Sequence, residues 1–534
     1  MSGGTFIFLS MGKILRILIF AIATGIILFV SGLLIVNTII KNKVENFVET
    51  RLPAHIIQNY ETLSVDLFEG TLTFKNANVN ILNKETKEVH TYVHAEKFII
   101  EDISYWDYLY NNQIHIEDVK IKKPVIRYYK DRLSTSKKKD SFRSAPLILY
   151  KPVLIDELSI DNTNLTIFNN TQDSITLFAK NLTLEVDDIL IDQQTLLKRL
   201  PLKFGDYDAK VDSIFVKVSP YENLTSTDFA LHDKKAVLKN IHLKTKYSRE
   251  EHARIIPYEK DHYNLQIDSL EITDINFGFK NRKLLTKSNH ITFYHPYLDV
   301  FRNKLIRDDP NQKPLYSKML RDLPINVTVN SLFLKNAAIK YTEKVKVGNP
   351  GGIINFSNIE ATLQNVSNTY KSPTKTQIAI NANFMDNTPF NVSWSFDINN
   401  TQDQFTFKAN AGRLAATKMN KFTEPNLHVR LEGETTKTYF TIHGNNNTSH
   451  VDMKIKYDDF KVTILNDDGK RKKWLLSTLA NLIIKKSSNK KEGDFREGSG
   501  EAIRNQKKSF FNYLWLNMQQ GLKASLTGKN KENK

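Results

Sequence analysis

The side chains able to do chemistry are thinly spread in this chain. His290 and His295 stand five residues apart, and such a pair can share a metal ion if a third ligand follows at a coordinating spacing. None follows. The 13 His are otherwise scattered, and a lone His in a strand is ordinarily a surface or hydrogen-bonded residue. The chain has no Cys, which excludes disulfides, thiolate metal sites and a Cys nucleophile. No Walker loop, G-x-G-x-x-G, H-E-x-x-H or G-x-S-x-G sequence occurs. Carboxylates alternate with Lys along short segments, as on solvated strand faces. The expected assignment is therefore no enzyme, no metal and no cofactor. The chemistry left is that of apolar surface.

That surface is written in a recurring cadence. IDSLEITDINFGFKN from Ile267 returns as IDELSIDNTNLTIFN from Ile155, VNSLFLKNAAIKYTE from Val329 and IEDVKIKKPVIRYYK from Ile116. VDSIFVKVSP from Val211 is a looser fifth copy. In the first, Leu270 and Ile272 share one parity, and Ile275, Phe277 and Phe279 share the other. The switch falls at Thr273-Asp274. The same flip separates Leu158 and Ile160 from Leu165 and Ile167, and Leu332 and Leu334 from Ala337, Ile339 and Tyr341. Side chains alternate faces along a strand, so each flip predicts a bulge or tight turn that keeps the apolar groups on one side. A second cadence trails each copy: AKNLTLEV from Ala179, LKNIHLKT from Leu238, KSNHITFY from Lys287 and FSNIEATL from Phe356. The fold class expected is mainly β: an elongated, curved antiparallel sheet of repeated units over 41–467, forming a groove. Polar stretches after Leu133 and around Arg307 to Pro314 read as loops between units. A stack of closed sandwiches fits the alternation as well.

The ends differ from this middle. Residues 17–40 carry no charge, and about 20 apolar helical residues cross a bilayer core, so a transmembrane anchor is expected there. A cleaved signal peptide would have a shorter apolar region and a small-residue cleavage site. Of the net charge of +17, +11 lies in Lys470–Lys534, with 16 Lys and Arg against 5 Asp and Glu. The basic charge is thus concentrated in the end region 468–534, read as helical. KRKKWLLSTLANLIIKK from Lys470 has helical spacing, SSNKKEGDFREGSGEAIRNQ reads as a mobile linker, and a last amphipathic helix follows. Phe511, Leu514, Trp515, Met518 and Leu522 form its apolar face, for capping the sheet or for membrane contact. Groove-reading motifs are lacking, so nucleic acid is not an expected partner.

Two stretches carry a family likeness. SVDLFEGTLTFKNANVNI, from Ser64, places Phe68, Gly70 and Leu72 in an F-x-G-x-L pattern. AEKFIIEDISYWDYLYNNQIHIEDVKIKKPVIRYY, from Ala95, places Ile114, Ile116, Val119, Ile121, Pro124 and Ile126 in I-x-I-x-x-V-x-I-x-x-P-x-I. With the closing KKSFFNYLWLNMQQGLK, these residues resemble the AsmA-like family of Gram-negative envelopes, particularly its short members. The resemblance implies a single-pass protein of the bacterial inner membrane, with 1–16 cytoplasmic and the bulk periplasmic. It implies a bridge-like lipid transfer protein carrying phospholipid, or another diacyl lipid, along an apolar β groove toward the outer membrane. The alternative is an anchored scaffold or assembly factor for outer-membrane proteins, with an envelope protein as partner.

Overall fold

A computed structural model describes residues 36–50, 52–133, 149–169, 174–198, 200–280, 283–465 and 495–527. The anchor expected over 17–40 and the helix expected from Lys470 to Lys486 lie outside them, save for 36–40. No described helix is long and apolar enough to cross a membrane. The chain divides into two compact units, Met1–Asp212 and Ser213–Lys534.

Strands dominate both units. In the first, residues 36–50 are helical (α1), followed by β1 (Ile56–Asn59), β2 (Thr62–Asp66), β3 (Thr71–Leu82), β4 (Val89–Ile103), the short helix α2 (Tyr105–Tyr110), β5 (Ile114–Lys122), β6 (Val125–Tyr129), β7 (Val153–Asn169) and β8 (Ser174–Ile191). β9 (Tyr207–Lys217) spans the border between the units. The second unit opens with β10 (Glu222–His232), β11 (Lys235–Thr245), α3 (Arg249–Ile255), β12 (His262–Thr273), β13 (Asn276–Lys280), β14 (Lys283–Tyr294) and β15 (Tyr297–Asn303). It continues through α4 (Tyr316–Arg321), β16 (Asn326–Lys344), β17 (Gly352–Ser367), β18 (Thr376–Phe384), β19 (Thr388–Phe396), β20 (Phe405–Ala411) and β21 (Leu414–Ala415). It closes with α5 (Asn420–Leu427), β22 (Val429–Gly444), β23 (Thr448–Ile464), β24 (Arg496–Ile503) and α6 (Phe510–Thr527).

The fold is mainly β, but the pairing is mixed where a purely antiparallel sheet was expected. β7 runs parallel to β5 and β6, and β16 runs parallel to β14 and β15. Parallel neighbours need a long return connection. The two polar stretches read as loops between units, after Leu133 and around Arg307 to Pro314, lie in those two connections. Loop composition reveals a break in the strands, not the direction in which the chain returns.

A second correction concerns the expected linker and the helical end region. Arg496–Ile503 is a strand, paired antiparallel with β23 from Ile455↔Arg496 to Thr448↔Ile503. Its glycines suggested a mobile tether but serve close packing. A Cβ on Gly498 would stand 2.2 Å from the backbone N of Ser525, and one on Gly500 2.8 Å from Cβ of Gln520. Only glycine lets α6 lie this close to the strand.

Candidate functional site

Each sequence flip coincides with a single residue in the left-handed region. Asn162 in β7, Asp274 between β12 and β13 and Asn336 in β16 have φ of 54°, 55° and 50°. Three Asn of the trailing cadence, Asn181, Asn240 and Asn358, adopt the same conformation, whereas Asn289 is not among the positive-φ residues. Asn and Asp enter this region most readily among residues with a Cβ. The pairing confirms what the kinks do. β18 has no left-handed residue, so Ile378, Ile380 and Phe384 share one face. Across from it in β17, Leu363, Ala361 and Phe356 pair with those three residues in turn. Phe356 has the opposite parity to the other two, and Asn358 lies between. The kink restores them to one face.

Registers extend that face strand by strand. In the second unit one row runs Leu231, Ala236, Ile272, Ile291, Leu332, Leu363, Ile378, Trp394, Phe407, Ile442 and Val451, each opposite the next. A neighbouring row runs from Leu238 and Leu270 through Phe293, Leu334, Ala361 and Ile380 to Met453. In the first unit Leu72, Ile100, Val119, Leu158 and Val186 form one row, and Phe74, Phe98, Ile121, Ile160 and Leu184 another.

The expected residues fall into this pattern unevenly. Leu158 and Ile160 lie in the first unit's rows, and Leu165 and Ile167 lie past its kink, opposite Ile126 and Tyr128. Leu270, Ile272, Leu332 and Leu334 occupy the second unit's rows. Ile339 and Tyr341 lie past Asn336, opposite Leu298 and Val300. All of these are half-buried. Ile275 follows Asp274 and is half-buried, while Phe277 and Phe279 are exposed on β13. The sequence reading missed Ile291, Phe293 and the rows from β17 to β23. Their alternation is visible in QIAINANF and FNVSWSF, but β18 and β19 lack the flip that drew attention to the other copies.

Cover differs along the second unit's rows. Over β19, β20, β22 and β23, α6 closes a dense core in which Ile442 and Val451 have no exposed surface. The Phe510 ring stacks on Trp394 at 4.8 Å, and Tyr316 of α4 meets both edge-on. Leu514, Met518 and Leu522 face this core, Trp515 reaches Phe422, and Phe511 points outward. From β12 to β16 the same rows stay half-buried: Leu270, Ile272, Ile291, Phe293, Leu332 and Leu334 each keep part of their surface.

The opposite parity is charged. In the first unit Glu101, Asp118, Glu157 and Asp187 stand opposite one another in succession, with Lys120 bonded to Glu101 and to Asp118. Burial, then the neighbouring Asp118, Glu185 and Asp187, raise the pKa of Glu157. A polar depression in the second unit holds Lys287, Asn289, Thr328, Asn330 and Tyr370. Its groups serve one another: Tyr370 Oη donates to Asn330 Oδ1 at 2.7 Å, and Asn330 Nδ2 to Asn289 Oδ1 at 3.0 Å. The two His singled out do not act as a pair. His295 Nδ1 meets Asp268 at 3.0 Å, and the His290 ring packs on Phe333. Among the described residues no cluster of His and carboxylates could hold a metal ion. No family model and no curated protein matches the chain.

Proposed function

We propose that this chain carries lipid acyl chains along the half-buried apolar face, as an anchored lipid-transfer protein. The supporting observation is the continuity of apolar rows from strand to strand, with α6 closing the face only over the last strands. A scaffold would close the whole face in cores of the kind found under α6. Acyl chains gain about 0.8 kcal/mol per buried CH₂ whatever the head group. An uninterrupted face therefore holds lipid without a head-group pocket and lets it slide. The finer assignments belong to the same reading: a curved groove, phospholipid as cargo, the inner membrane at the anchored end and passage through the periplasm.

The test places a photocrosslinking residue at Ile272 or Leu332, on the half-buried part of the rows, and at Thr292 on the other parity as control. We expect lipid adducts by mass spectrometry at the first two and not at the third. Equal or absent labelling at all three rejects the reading.

A further inference from the structure

At one end of the first unit, large apolar side chains stand in water. Phe68 is 76% exposed, Trp106 67%, Tyr150 84% and Leu197 77%, with Leu109 and Tyr110 exposed beside them. The registers bring these residues to one end. The β2–β3 turn, the α2 connection from β4 to β5, the start of β7 and the segment after β8 all lie there. Contacts join them. Tyr105 Oη donates to Leu67 O at 3.5 Å, Lys151 Nζ sits 3.7 Å above the Tyr108 ring, and Gln193 Nε2 donates to Leu149 O at 3.2 Å.

α2 concentrates the anomaly. Its sequence is YWDYLY, and it buries none of its residues. Yet it is firmly built. Ser104 caps it, and Asp107 accepts from Asn111 and Gln113 and meets His115 at 3.0 Å. His115 in turn reaches Asp156 of β7 at 2.9 Å. This fixed helix presents Tyr, Trp and Leu outward. Tyr and Trp, with an apolar body and a polar tip, are the residues that settle at the membrane–water interface.

The chain leading into this unit supplies the second argument. α1 meets β1 where Gln58 Nε2 donates to Val48 O at 3.1 Å. At about 1.5 Å per helical residue, α1 extends some 14 Å from Glu45 back to residue 36. Residue 36 is where the uncharged run 17–40 enters the described structure. We propose that this aromatic end seats on the interface of a lipid bilayer. The proposal goes beyond acyl-chain carriage and does not depend on it.

The chain has no native Cys, so each single substitution gives a unique label. Full-length W106C, L109C, L197C and E85C would carry an environment-sensitive fluorophore. Glu85 is exposed in the β3–β4 turn at the opposite end of these strands. In vesicles of phosphatidylethanolamine and phosphatidylglycerol, we expect doxyl-labelled lipid to quench positions 106, 109 and 197 at least twofold. Position 85 should stay unquenched. No quenching at the first three, or equal quenching at all four, overturns the proposal. So does label self-quenching in lipid-free detergent that vesicles leave unchanged, which would mark a contact between copies. Lipid bound to the same samples reads the carriage hypothesis separately, because docking without cargo refutes carriage alone.

Discussion

Asn336 carries a burden that its side chain alone does not reveal. With φ at 50° it turns β16 so that Leu334 and Ile339 serve one face, and its N–H donates to Glu360 Oε1 at 2.8 Å. A β-branched residue in this conformation is strained, whereas glycine is free there. We expect Asn336→Val to cost about 1–2 kcal/mol and Asn336→Gly to be nearly neutral, read from urea midpoints. Equal midpoints would show that backbone strain is not what Asn336 relieves. The flip at this position was legible in the sequence because parity is a counting property. Which residue absorbs it was half legible, in the Asn and Asp that recur there. Lys123, with φ of 49°, was not, because lysine has no comparable preference.

Among the elements, α6 shows how a remote segment is held. Just before it, Lys508 donates to the buried Glu259 at 3.0 Å and to Asp308 at 2.6 Å, and Lys304 reaches Glu259 at 2.9 Å. Burial alone would raise the pKa of Glu259, but the hydrogen bonds from Lys304 and Lys508 outweigh it and hold it below the usual value of 4.5. A carboxylate depressed in the folded state stabilises above its unfolded pKa and loses that contribution as pH falls through the folded one. Lys508→Met should therefore begin acid unfolding at higher pH than the parent, seen in melting temperature against pH. Curves that stay parallel below pH 5 would discount the Glu259 contact. The amphipathic pattern of α6 was legible, but its glycine-lined seat on β24 was not. A glycine that permits close approach looks the same in sequence as one that loosens a tether.

At the scale of the whole molecule, each unit carries its own apolar rows, and carriage requires those rows to be uninterrupted. A single aspartate among half-buried neighbours can turn toward water. Several in successive strands place charge across the path. We expect Leu270→Asp to lower co-purifying lipid by less than twofold. The triple variant Leu270→Asp, Phe293→Asp and Leu334→Asp, in three adjacent strands, should lower it at least fivefold. Circular dichroism would check that the sheet survives. Undiminished lipid in a folded triple variant would separate the rows from lipid carriage.

Composition and parity by themselves determined that the chain is mainly β, that apolar groups are gathered by local flips and that the last helix has an apolar face. These follow from period-two geometry and backbone preference, which are local. Direction of pairing, the strand at Arg496–Ile503 and the extent of the cover over the rows were decided only by tertiary structure. So was the gathering of Phe68, Trp106, Tyr150 and Leu197 at one end. Each depends on which segments meet across long stretches of chain, and no local period records that.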